Sequence, residues 1–126
     1  MENILKFIAS ELQAVGINYE FMEWTDSTVP NLYFVGEYIE QPRTTEDGMH
    51  DVDFILTGNT FGSYYQLEQA KTTIEGCFSS VTGKTAIMED GSGVVVFFSH
   101  AITIPSQVPE LKRIQINLDI KEWKVN

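Results

Sequence analysis

The sequence predicts an α+β domain: a single, mostly antiparallel sheet of about six strands with two helices packed on it, in the order α-β-β-β-α-β-β-β. Three observations predict it. Two stretches repeat apolar residues at steps of three and four, as helices with one buried face do. Two others, near residues 50–57 and 111–125, alternate apolar with polar residues, as half-buried strands do. Between them Val94-Val-Val-Phe-Phe98 runs five apolar residues together, which reads as a strand buried on both faces. A chain of 126 residues, 43% hydrophobic, suits one domain, residues 1–126, with enough apolar mass for its own core.

The elements follow in order. Residues 2–16 read as a helix, with Leu5, Ile8, Leu12 and Val15 as the stripe, Ile4 and Phe7 widening it, and Gly16 ending it. Residues 18–24 read as a first strand and Thr25 to Pro30 as a loop. Residues 31–40 read as a second strand, central at its start because Leu32 to Val35 is apolar on both sides. Gln41 to Gly48 is a polar connection, longer than a tight hairpin needs. It is either a loop tip or an arm that reaches a neighbouring subunit.

In the third strand Val52, Phe54 and Leu56 share one face, and Asp51, Asp53, Ile55 and Thr57 the other. Gly58 to Gly62 reads as a turn. Ser63-Tyr-Tyr-Gln66 has the form of a capping box. The helix beyond it buries Tyr64, Leu67, Ala70, Ile74, Cys77, Phe78 and Val81, and Gly83 stands where a glycine C-cap belongs. Lys84 to Glu89 reads as a short strand and Asp90 to Gly93 as a hairpin turn with glycines at positive φ. Val94 to Phe98 needs cover on both sides, either from the two helices or from another subunit. Pro105 and Pro109 bracket a loop. In the last strand Ile114, Ile116, Leu118 and Ile120 alternate with Arg113, Gln115, Asn117, Asp119 and Lys121. The parity then changes: Glu122 and Lys124 enter the apolar register and Trp123 leaves it. Either a bulge or a strand end that projects Trp123 toward a partner would account for this.

Net charge is −10. Residues 1–83 hold thirteen acids and three bases, and residues 84–126 hold five of each, so the first two-thirds carries the whole excess. Such a surface repels nucleic acid, and no sequence-specific nucleic-acid binding is expected. Cys77 is the single cysteine, on the apolar helix face. No disulfide framework forms within one chain, which favours synthesis in a reducing compartment. The first residues, mixing polar with apolar side chains, read as neither a signal peptide nor a membrane span.

The chemistry of known sites is missing. Thr82-Gly-Lys-Thr85 has the form of the end of a phosphate-binding loop, but Phe78 stands where the first glycine belongs, and the segment follows a helix instead of opening one. His50, Asp51 and Asp53 do not make a metal site, because His50 points away from the two carboxylates and His100 lies in another strand. No nucleophile stands beside a base. The expectation is a protein that is not an enzyme and takes no cofactor and no metal.

As a pattern of elements, nearly the whole chain resembles the tail terminator (tail completion, head-tail joining) proteins of phages and prophages. The resemblance rests on Ile4 to Val15, on Leu32 to Tyr38, on Asp51 to Thr57 with the helix Tyr64 to Val81, and on Ile116 to Trp123. It implies a homohexameric ring that caps the tail tube and meets the head connector. Its partners would be further copies of itself, the tail tube protein and the head connector protein, with no membrane. It would lie in the host cytoplasm during assembly and in the tail or neck of the virion afterwards. Ring closure needs a surface that joins copies head to tail. The candidates are Val94, Val96, Phe98 and Trp123, with Arg43, Glu46 and Asp47 of the 41–48 connection. The acid excess would suit a channel wall. Two other readings stand beside it: a small-ligand-binding or enzymatic α+β domain with an aromatic-lined pocket, and an acidic module that binds a basic protein.

Overall fold

The computed structural model describes residues 1–25, 27–44 and 49–124, the side chains of 41–44 excepted. Its elements are α1 (Glu2–Ala14), β1 (Tyr19–Phe21), β2 (Leu32–Thr44), β3 (Met49–Thr60), α2 (Tyr64–Cys77), β4 (Lys84–Ile87), β5 (Gly93–Ile104) and β6 (Lys112–Trp123). The order matches the expected α-β-β-β-α-β-β-β. The six strands form one sheet in the order β1-β2-β3-β6-β5-β4. Every pairing is antiparallel except β1 with β2, which is parallel.

Both helices lie on the same face. Ile4, Ile8 and Leu12 of α1 and Leu67, Ala70 and Ile74 of α2 share one core with Phe34, Val52, Phe54, Leu56, Val94, Val96, Phe98 and the Ile114–Ile120 alternation. Burying each such aliphatic side chain stabilises the fold by roughly 1.5–3 kcal/mol. The opposite face has no helix on it among the described residues.

Two glycines let aromatic rings lie flat on this core. Phe34 pairs with Gly58 across β2 and β3, and an added Cβ at Gly58 would fall 2.5 Å from Phe34 Cε2. At Gly36 it would fall 2.6 Å from Phe54 Cζ and 2.8 Å from the Tyr19 hydroxyl. Gly58 and Asn59 are therefore strand residues, and the turn expected at 58–62 begins only after Thr60. Gln66 then ties the helix start to the end of β3 and to the residue that precedes β2. Its Oε1 accepts from Ser63 N–H at 3.2 Å, completing the capping box, and from Thr60 Oγ1 and Asn31 Nδ2 at 3.3 Å each.

α2 ends at Cys77, short of the expected Val81 with its Gly83 cap. The irregularity between Phe98 and His100 in β5 turns Phe98 N–H onto the Phe78 carbonyl at 2.8 Å. That bond and the fully buried Phe78 ring fix the chain to the sheet there. Ser79 starts a separate turn, accepting from Gly83 N–H at 2.9 Å, and Val81 is left 84% exposed. Gly83 does have positive φ, and Val95 and Phe97 occupy the space its Cβ would take.

Other boundaries differ for equally local reasons. β1 stops at Phe21 because Met22 takes φ 70 and turns the chain over β2. In the hairpin after β4, Gly91 is the glycine at positive φ, and Gly93 opens β5. Residues 41–44, expected in a loop, belong to β2, where a register shift between Glu40 and Thr44 absorbs Pro42. β6 has no bulge against β3: the pairing runs unbroken to His50–Glu122 and Met49–Trp123. The change of parity at Glu122 has a different cause, a carboxylate placed in the core register.

Candidate interaction surfaces

The face away from the helices is built by the second parity of each strand. Successive rows across β3 and β6 pair Asp51 with Lys121, Asp53 with Asp119, Ile55 with Asn117 and Thr57 with Gln115. Lys121 Nζ lies 2.9 Å from Asp51 Oδ1 and 3.6 Å from Asp119 Oδ2. Burial pushes the Asp119 carboxyl above its ordinary value, and Asp51 and Asp53 push the same way while Lys121 opposes. The hydrogen bond to Asp51 raises Lys121 in turn. Among the described residues no group of three or more His, Cys, Asp or Glu is placed to hold a metal ion.

Each edge of the sheet carries an apolar groove. At the β4 edge, Thr85, Ile87, Val95 and Trp123 line about 580 Å³, with Ile87 76% and Trp123 37% exposed. At the other edge, Leu5, Ala9, Phe21 and Tyr38 line about 560 Å³ between α1 and β1–β2, flanked by Glu2, Lys6 and Glu20. Phe21 stacks on Tyr38 with ring centroids 6.0 Å apart. In a helix-covered sheet, edges are where a further chain adds.

The interface candidates read from the sequence separate in the structure. Trp123 lies at the β4 edge, on the uncovered face. Val94, Val96 and Phe98 point the other way, into the core beneath the helices; Val96 and Phe98 lie buried there, while Val94, also nearly buried, lines the β4-edge groove with Trp123. The physical reason is that both helices cover one side, so only Val95 and Phe97 of the apolar run turn outward. Arg43 lies in β2, its side chain outside the description, and Glu46 and Asp47 lie outside the described residues. Ile87, Phe21 and Tyr38 were not singled out from the sequence. The signal was present only as apolar residues within the strands read at 18–24, 31–40 and 84–89.

No family model and no curated protein sequence matches this chain. Among solved structures, its fold is similar to that of a chain in the virion of a native gene transfer agent particle. The TM-score is 0.63 at 11% sequence identity, over 90% of this chain and 84% of that one. Among the described residues no helix is long and apolar enough to cross a membrane.

Proposed function

We propose that this chain is a structural component of a phage-like particle and works as its tail terminator. Copies would form a homohexameric ring that caps the tail tube and offers its other side to the head connector. The observation that carries this reading is the likeness of nearly the whole fold to a chain of a gene transfer agent virion. Two structural features support it. Apolar grooves lie at opposite edges of one sheet, so contact between unlike edges adds copies in one direction, as a ring requires. Exposed Glu23 and Glu37 also make the β1–β2 end of the uncovered face acidic, suited to a channel wall that DNA passes without adhering. The role needs no catalytic group and no cofactor. Assembly would begin in the host cytoplasm and end in the neck of the particle.

The test is cryo-electron microscopy of particles purified from a host carrying the gene, with and without the gene. The expected result is density for this fold as one ring at the head-proximal end of the tail. Without the gene, tubes should vary in length and lack heads. Particles that assemble normally without the chain, or density for it along the tube or in the capsid, would overturn the reading.

A further inference from the structure

The geometry points to a carboxylate-binding pocket on the uncovered face of the sheet, walled by Trp24 and Tyr33 and served by the Arg113 guanidinium. The pocket holds about 390 Å³. Its base is one row of the sheet: Tyr33 on β2 pairs with Asn59 on β3, which pairs with Arg113 on β6. Its wall is the segment leaving β1. Met22, the one non-glycine at positive φ among the described residues, turns that segment back over the sheet, and its N–H donates to the Gly36 carbonyl at 2.8 Å. The turn is held by Thr25, whose N–H and hydroxyl both donate to Glu20 Oε1. Trp24 comes to rest 5.3 Å from the Tyr33 ring, with Nε1–H donating to the Thr28 carbonyl at 3.3 Å.

Arg113 is the reason to assign a ligand. It is half-buried, and its Nε donates at 3.1 Å to the Oδ1 of nearly buried Asn59. Asn59 is itself held, donating from Nδ2 to the Thr57 carbonyl at 3.3 Å. Among the described residues no carboxylate lies within 4.0 Å of Arg113, although Glu23 and Glu37 line the same pocket. One edge of the guanidinium is therefore fixed, while its terminal nitrogens keep a fork suited to two parallel bonds to one carboxylate. The aromatic walls select an apolar group next to that carboxylate. Glu23 and Glu37 select against a polyanion, because one guanidinium does not offset two glutamates and a doubly charged phosphate. The ligand class is a single carboxylate beside an apolar side chain, as a protein chain terminus or an acidic residue next to an aromatic one presents.

The test is titration of the ¹⁵N-labelled full chain with four probes: N-acetylphenylalanine, its primary amide, the dipeptide N-acetyl-Phe-Asp-amide, and inorganic phosphate. The Trp24 Nε1–H and Arg113 Nε–H resonances are followed. Saturable shifts of both are expected with the two carboxylates, and about tenfold weaker binding with the amide. Whichever carboxylate binds tighter names the source, chain terminus or side chain. Arg113→Gln should lose the binding in a chain that still folds, with the melting temperature lowered only by loss of the bond to Asn59, and Arg113→Lys, which keeps the charge without the fork, should not restore the binding. Equal binding of acid and amide, tighter binding of phosphate, or no saturable shift with either carboxylate would overturn the assignment. This pocket lies apart from both edge grooves, so its failure would leave the ring reading intact.

Discussion

His50 Nδ1 lies 3.6 Å from Glu122 Oε1, and the two side chains, 13% and 8% exposed, sit on the helix-covered face where β3 pairs with β6. Glu122 continues the row of Ile114 to Ile120, so a carboxylate occupies a position the pattern reserves for an apolar side chain. Removing its neighbour leaves that carboxylate in a poorly solvated place. His50→Ala is expected to cost about 1–3 kcal/mol in urea denaturation. Glu122→Leu removes the charge and restores the alternation, and should cost less, because an apolar residue of similar volume replaces a buried ionisable group well. If the two variants lose equal stability, the contact contributes nothing beyond packing.

Gly58 supplies the second prediction. A methyl at Gly58 meets Phe34 at 2.5 Å and Ile114 Cγ2 at 2.9 Å, and both neighbours are buried in the core. Gly58→Ala should destabilise by about 1–3 kcal/mol, the usual cost of overpacking. Adding Phe34→Leu, which withdraws the ring, should cost less than the sum of the two single substitutions, a departure that a double-mutant cycle measures. Additive effects would show that the glycine matters through its backbone and not through the ring above it.

Tyr19 gives a third. Its hydroxyl is buried with no hydrogen-bond partner among the described residues, and burial pushes its ionisation up to about 12 from the ordinary 10.0. Tyr19→Phe removes an unsatisfied polar atom and should leave stability at neutral pH unchanged or about 1 kcal/mol higher. The alkaline arm is more telling. From pH 10 to about 12 the unfolded chain releases the phenol proton while the folded chain keeps it, so stability falls as pH rises. The parent should lose up to about 2 kcal/mol across that window that the Phe variant retains. Parallel alkaline melting curves for the two proteins would contradict the burial of this hydroxyl.

The parts of this fold that depend on one repeating pattern were legible in the sequence. Leu5, Ile8 and Leu12, the Val52–Leu56 alternation and the Ile114–Ile120 alternation announce a helix and two central strands, and the element order follows from them. What was not legible depends on contacts between distant residues. Gly58-Asn59 reads as a turn because that dipeptide favours turns, and only the Phe34 ring lying over Gly58 explains the glycine inside a strand. The apolar stripe of α2 reads on to Val81, but the helix stops where Phe98 N–H takes the Phe78 carbonyl. Likewise five apolar residues in β5 demand cover, and nothing local says that Val94, Val96 and Phe98 face the helices while Val95 and Phe97 do not. The pocket at Arg113 gathers residues from β2, β3, β6 and the segment after β1, and no spacing rule joins Trp24 to Arg113.

The charged rows of the uncovered face supply the last prediction, in which two neighbours change stability in opposite directions. Asp119 is pushed above its ordinary 3.8, first by burial and then by Asp51 and Asp53. Between 3.8 and its raised folded value, the folded chain holds a proton that the unfolded chain has released. Stability therefore falls as pH rises through that window, and the cost is complete above it. Asp119→Asn should be more stable than the parent at neutral pH by roughly 0.5 kcal/mol, discounted because the side chain is about a third exposed, and equal to it below pH 3.8. Lys121 has the opposite sign. Its folded value is raised by the hydrogen bond to Asp51, so its contribution is present below 10.5 and is lost only as pH rises through that higher value. Lys121→Met takes away the ammonium that stands 2.9 Å from Asp51 and 3.6 Å from Asp119, and should lower stability at neutral pH. Once acid has protonated the carboxylates, the loss should vanish. Thermal melts of both variants from pH 3 to pH 8 check this. If both substitutions shift stability the same way at neutral pH, repulsion among the three aspartates does not govern this face.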